Sequence, residues 1–169
     1  MTHVDSLLIK EGGGMESGIR IPKWAQRFVL KKGGIGSVEY RNKKYTYVVL
    51  KRALIPGLPN FVGFVEDLDF LYISEDVPFR YRKYVLRHEL RESLGYSLKD
   101  NDKCRKSLEA ELKEVSAELR KRYVPWRLGS FNALFWYHSK GAGSAAYNEK
   151  YLYEILGSVL YLERVHKGE

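Results

Sequence analysis

Cysteine occurs once in the 169 residues, at Cys104. A single thiol excludes an internal disulfide framework, a four-cysteine zinc site and a Cys-x-x-Cys redox pair, and a reducing, cytoplasmic setting fits best. Long apolar runs are also missing. A stretch such as residues 45–50 is far too short to cross a bilayer, so no membrane partner is expected. The opening Met1-Thr2-His3-Val4-Asp5 lacks a basic patch followed by an apolar stretch, and no secretory signal is expected. Glutamine occurs only at Gln26, beside 30% charged residues. That balance leans towards a heat-stable source, where amides are avoided and ion pairs favoured. No internal repeat is found.

Positive charge is plentiful: 29 Lys and Arg against 21 Asp and Glu leave +8. An excess of this size suits nucleic acid or an acidic surface, but interspersed acids make it equally a matter of solubility. At roughly 100–200 residues per domain, one domain is expected. A hydrophobic content of 44% is enough for its core. Residues 1–18 read as a flexible tail, or as a segment foreign to the native chain, broken at Gly12-Gly13-Gly14 and holding a second potential start at Met15. Residues 19–169 read as a single α+β domain: residues 19–73 mainly strands, in an antiparallel sheet of about three to five, then residues 74–169 with about three helices.

Period-two stretches rich in Tyr, Val and Thr cover residues 37–41 and 45–51, with Asn42-Lys43-Lys44 between them as a hairpin turn. Pro56-Gly57-Leu58-Pro59-Asn60 marks a loop, and Phe70-Leu71-Tyr72-Ile73 a short buried strand. Beyond Ser74 the period becomes 3.6. Ser74-Glu75-Asp76-Val77-Pro78 predicts a helix start, with Ser or Asp as cap and Pro in the first turn; the helix runs to about residue 94. A second helix is predicted from Asp100-Asn101-Asp102 to just before Pro125, with Leu108, Leu112, Val115 and Leu119 as its core stripe. A third is capped by Ser144, with Leu152, Ile155, Val159 and Leu162 inward. Residues 126–137 are aromatic-rich and ambiguous.

Chemistry concentrates in His88-Glu89-Leu90-Arg91-Glu92. At about 100° per residue, His88 and Glu92 lie about 40° apart on one helix face, close enough for a ring nitrogen and a carboxylate oxygen to reach one cation. Glu89 projects about 100° round, towards a water that such an ion would activate. Leu86, Leu90 and Leu94 back the helix, and Tyr81 and Tyr84 flank its polar front. A third ligand must come from elsewhere: Glu111 on the second helix is the first choice, with Glu118, Glu109 and Cys104 behind it. The plainer alternative is a surface ion pair between His88 and Glu92, worth about 0.3–0.5 kcal/mol.

A short strand, then Ser74-Glu75-Asp76-Val77-Pro78, then residues 84–92 ending His88-Glu89-Leu90-Arg91-Glu92, resembles the active-site helix of small zincin-type metallopeptidases. More specifically, it is similar to minimal gluzincins, whose third ligand is a Glu on a following helix. The resemblance covers roughly residues 70–120. It implies a zincin-like helix with His88 as metal ligand, Glu89 as general base and Glu111 as third ligand, acting on a peptide substrate. Position 92 departs from the pattern: it is Glu where the His-Glu-x-x-His fingerprint has its second His. One His and two carboxylates still suit a divalent ion, zinc first, with manganese or iron admitted by the harder oxygens. Arg87 and Arg91 add nearby positive charge that opposes a cation unless they point away. A non-catalytic relative with the same fold is the other outcome this departure allows.

Weaker signals surround this one. His138, after Phe135-Trp136-Tyr137, could bind a substrate, and Tyr137 could polarise a carbonyl; aromatic core and an element's end account for both as well. Gly33-Gly34-Ile35-Gly36 has no Gly-Lys-Ser/Thr after it and reads as a hairpin or a strand entry. Basic residues Arg80, Arg82, Lys83, Arg87 and Arg91, with Arg120-Lys121-Arg122 and thirteen tyrosines, carry the alternative function: a basic nucleic-acid- or protein-binding module. The favoured function is a zincin-like metal-binding protein and metal-dependent peptide hydrolase.

Overall fold

The run Tyr45-Thr46-Tyr47-Val48-Val49-Leu50 is β-branched or aromatic almost throughout, as suits a strand buried on both faces. It becomes the centre of the molecule. The computed structural model describes residues 6–9, 19–97, 100–140 and 145–169. β1 (Ser6–Ile9) and β2 (Ile19–Pro22) lead into a single turn, α1 (Lys23–Gln26). Then come β3 (Ile35–Tyr40), β4 (Lys43–Leu50), β5 (Val62–Val65) and β6 (Phe70–Ser74). The helices α2 (Phe79–Gly95), α3 (Lys103–Glu114), α4 (Ala117–Ser139) and α5 (Ala145–Lys167) follow. Strands before helices is the α+β order expected.

The main sheet has the order β3-β4-β6-β5. β3 and β4 form the expected hairpin, but its turn is Arg41-Asn42, both with positive φ (50° and 61°), so Lys43 and Lys44 already belong to β4. That pair of left-handed residues matches the right-handed twist of the strands. β6 runs antiparallel to β5 but parallel to β4, which makes the sheet mixed where an antiparallel one was expected. The loop through residues 56–60 carries the chain past the neighbouring position to the edge as β5. A tight turn with Asp69 at φ 47° then returns β6 to the slot beside β4.

Within the stretch read as a tail, Ser6–Ile9 is a strand paired with β2. The rest of residues 1–18, and Ser144, lie outside the described residues. Side chains alternate along the central strands. Tyr45, Tyr47, Val49, Leu71 and Ile73 meet the helices; Val48, Leu50 and Phe70 join Ile21, Ala25, Leu58 and Phe61 on the other face.

Helix α2 begins at Phe79 with Pro78 at its cap position, while Ser74 Oγ accepts the Asp76 N–H at 3.2 Å one turn earlier. The predicted second helix is two helices. α3 stops at Glu114, and the Ser116 side chain caps α4 by accepting the Leu119 N–H at 3.4 Å. Pro125 therefore lies inside α4, and the ambiguous residues 126–137 are helical. Proline removes one hydrogen bond and leaves a carbonyl unpaired about one turn earlier. Both Lys121 and Pro125 are exposed, so that carbonyl lies on the solvent side. Among the described residues no helix is long and apolar enough to cross a membrane.

Two glycines test this packing in opposite directions. Gly36 sits directly opposite Tyr47, and a Cβ there would come within 2.4 Å of the buried Tyr47 ring. Gly129 is exposed in mid-α4 with nothing within 4 Å of such an atom. Urea denaturation should show Gly36→Val losing about 1–3 kcal/mol through overpacking. Gly129→Ala should gain about 0.5–1 kcal/mol by restricting the unfolded chain and favouring helix.

Candidate metal centre

α3 doubles back along α2, so that residues late in one meet residues early in the other. Cys104, Leu108 and Glu111 are spaced by about one and two turns and present one face of α3 to α2. Leu108 fills the middle, and Cys104 and Glu111 take the two sides of His88. The His88 Nε2 lies 2.9 Å from Glu92 Oε1 and 3.7 Å from Cys104 Sγ. Its Nδ1 lies 2.9 Å from Glu111 Oε2, in electrostatic contact but off the direction of a hydrogen bond. The ring is edge-on to Phe131, with centroids 6.1 Å apart. His88 is 3% exposed, which sets aside a surface ion pair with Glu92.

Glu111, the third ligand expected from the sequence, instead sits at the opposite ring nitrogen from Glu92 and Cys104, and both its oxygens are engaged. Arg127 donates to them from Nε at 2.9 Å and Nη2 at 3.0 Å, and the Tyr123 hydroxyl donates to Oε1 at 2.6 Å. Glu111 and Tyr123 are 0% exposed. Burial alone would raise the Glu111 carboxyl, but the Arg127 guanidinium and the His88 ring hold it down to about 2. Burial and the same carboxylate push the Tyr123 phenol well above its ordinary value.

The donors that do converge are His88, Glu92 and Cys104, one ligand atom from each lying within 4.8 Å of the others. Tetrahedral bonds of about 2.0–2.3 Å to N, O and S place donors about 3.3–3.6 Å apart, so small side-chain movements suffice to hold one ion. A set of imidazole, carboxylate and thiol, two of the three buried, fits zinc. Ser158 on α5 donates to Cys104 Sγ at 3.4 Å and tethers the thiol from the other side. Burial opposes the charged form of His88, yet the Glu92 and Glu111 carboxylates raise its pKa well above the ordinary value. Burial and the charge of Glu92 push the Cys104 thiol up to about 11. Burial also works against the Glu92 carboxylate, but His88 keeps it below its usual range.

Glu89 lines the same cavity as Glu92 and Cys104. The backbone amide of Phe64 in β5 hydrogen-bonds to its carboxylate. Burial and the neighbouring Glu92 raise the Glu89 carboxyl to about 7. Arg87 and Arg91 are both paired with Glu114, Arg87 at 3.1 Å, so their charge is answered away from His88. Of the lower-ranked ligand candidates, Glu109 pairs with Arg105 and Glu118 is exposed in the first turn of α4. Tyr137 and His138, in the last turns of α4, line a cavity that also reaches Glu89, Glu92 and Cys104.

Tyr123 and Arg127 went unnoticed in the sequence. Their i, i+4 spacing, continued by Phe131, was the available signal, and it was hidden because a helix was expected to stop before Pro125. Comparison of the chain with family models, with curated proteins and with solved structures returned no match.

Removing one partner of a buried pair leaves the other charged and uncompensated. Arg127→Met should therefore destabilise the fold by about 3–5 kcal/mol in chemical denaturation. Glu111→Gln combined with Arg127→Met should recover part of that loss, giving a non-additive double-mutant cycle.

Proposed function

We propose that the chain binds one divalent cation, zinc in preference to manganese or iron, through His88 Nε2, Glu92 and Cys104, and hydrolyses peptide bonds there. The observation that carries this reading is the convergence of three different donor groups, two of them buried, of which Glu92 and Cys104 line a cavity. Burying such groups costs free energy, and a bound cation is the partner that offsets it for all three at once. An ion in this position would polarise a carbonyl and make water a better acid.

Everything else falls to side chains of the chain itself. Glu89, held towards the cleft by the Phe64 amide, takes the proton from the attacking water and returns it to the leaving amine. Glu111 bears on the far side of the His88 ring, with Arg127 and Tyr123 fixing the carboxylate. A small turn of the ring would let Nδ1–H donate to it, the part an outer carboxylate plays in orienting a ligating imidazole. The same geometry disfavours a thiol–imidazole nucleophile, because Glu92 occupies the nitrogen that would accept the Cys104 proton.

Metal analysis by mass spectrometry of the purified protein tests this directly. The expected result is close to one equivalent of zinc in wild type, lost in His88→Ala, Glu92→Ala and Cys104→Ser. Glu89→Gln should keep the metal and lose peptide hydrolysis by about 100- to 10,000-fold. Wild type that takes up no zinc, manganese or iron when these are added overturns the proposal.

A further inference from the structure

Between Val77 and His88 the chain has no acidic residue, while Arg80, Arg82, Lys83 and Arg87 follow one another. Basic side chains are favoured by the helix dipole in a last turn and opposed by it in a first turn. Arg80 and Arg82 stand in the first turn of α2, where no acid accompanies them. Arg120, Lys121 and Arg122, expected from the sequence to end a helix, fall instead in the first two turns of α4, against the single acid Glu118. The dipole therefore accounts for none of these cations. Nearby acids are engaged elsewhere: Glu75 and Asp76 by Arg52, and Glu114 by Arg87 and Arg91. Among the described residues no carboxylate forms an ion pair with Arg80, Arg82, Lys83 or Arg122.

Aromatic rings join the two groups. The Tyr81 ring lies 4.9 Å from Tyr123 and 4.8 Å from Trp126, centroid to centroid, so the start of α2 sits beside the second and third turns of α4. The Arg80 guanidinium is 4.8 Å from the Tyr81 ring centre, and Lys83 Nζ is 4.7 Å from that of Tyr84. Arg122 is exposed one turn before Trp126 on the same side of α4. Phe79 is 80% exposed, with the Arg82 guanidinium 5.8 Å from its ring centre. A phenyl ring left this open gains little from the core. Cations interleaved with rings, one ring open to solvent, make a surface suited to single-stranded nucleic acid: the cations follow the phosphates and the open ring stacks on an unpaired base. In a duplex the bases are already stacked on one another, and an acidic polypeptide brings no base, so neither calls for Phe79. We propose that Phe79, Arg80, Arg82 and Lys83 of α2, with Arg122 and Trp126 of α4, form a binding surface for single-stranded nucleic acid, separate from the metal centre.

Fluorescence anisotropy of a labelled oligothymidylate of about 15 nucleotides tests this surface. Wild type should bind it, and raising the salt from about 50 to about 200 mM should weaken binding about 20- to 50-fold, the slope for about three or four phosphates neutralised on a single strand. Arg80→Gln combined with Lys83→Gln should flatten that slope. Phe79→Ala should weaken binding at least about fivefold and leave the slope as it is, because stacking releases no counterions. The three side chains are exposed, and circular dichroism checks that each variant is folded. Chelator in the buffer should leave the affinity unchanged, so this surface and the metal centre can each fail while the other stands. No binding at about 50 mM salt, folded variants that bind as wild type does, or loss of binding on chelation overturns the proposal. Equal affinity for the same strand paired with oligoadenylate overturns it in favour of a duplex. Polyglutamate that displaces the probe as well as unlabelled oligothymidylate does overturns it in favour of an acidic protein.

Discussion

The Glu111 carboxylate is the point on which three helices agree. It belongs to α3, receives a guanidinium and a phenol from α4, and faces the imidazole of α2. A carboxylate with 0% exposure loses its hydration, and a single neutral partner would not make up that loss. Arg127 does so with two roughly parallel hydrogen bonds, a geometry that fixes direction as well as distance. Tyr123 takes the remaining approach. Because each partner comes from a definite turn of its helix, satisfying this one group sets how far along α2 and α3 the face of α4 must lie.

That constraint extends to the cavity. Tyr123, Arg127, Phe131, Leu134 and His138 recur at intervals of four or three residues, which puts them on one side of α4. The first two lock onto Glu111, Phe131 meets the His88 ring, and Phe131, Leu134 and His138 line the cavity. One helical face thus connects a structural ion pair to a cavity wall, and the Arg127 guanidinium lies 4.6 Å from the Phe131 ring centre between them. The stretch of α4 that carries the cavity is positioned by an interaction about two turns away.

Much of this was legible in the sequence, for reasons that differ by element. The β3–β4 hairpin and the α2 helix carry clean periodicity, and the i, i+4 relation of His88 and Glu92 follows from helix geometry alone. The parallel β4–β6 pairing did not, because local patterns do not say which slot of a sheet a returning strand will occupy. Pro125 misled: proline's cost is local, and tertiary contacts of Tyr123 and Arg127 on either side of it outweigh that cost. The roles of Glu111 and Cys104 exchanged for a related reason. Both share the α3 face, and sequence spacing cannot tell which will meet Nε2 and which Nδ1. Only the position of Arg127, brought by a helix whose extent was misread, commits Glu111 to the far nitrogen.

The carboxylate at position 92 acquires a rationale once Cys104 stands opposite. Imidazole with two carboxylates is an oxygen-rich set, and it draws the preference away from zinc; exchanging one carboxylate for a sulfur draws it back. Glu92 and a deprotonated Cys104 together carry two negative charges, so a divalent ion between them would leave the buried site without net charge. Neutrality matters here because Glu111 and Arg127 already balance each other and the buried Arg91 is answered by Glu114. A second histidine at 92 would supply no charge and leave such an ion only half neutralised. The compensation has a chemical consequence. An ion neutralised by its ligands withdraws less charge from water, which shifts more of the task onto the base. Without an ion, burial and the charge of Glu92 raise the Glu89 carboxyl to about 7; an ion that neutralised Glu92 would remove the second of these causes. In the metal-free site, then, the carboxylate at position 92 is one of the two causes that raise its neighbour Glu89, and the way in which it would answer an ion is also the way in which it would release that neighbour.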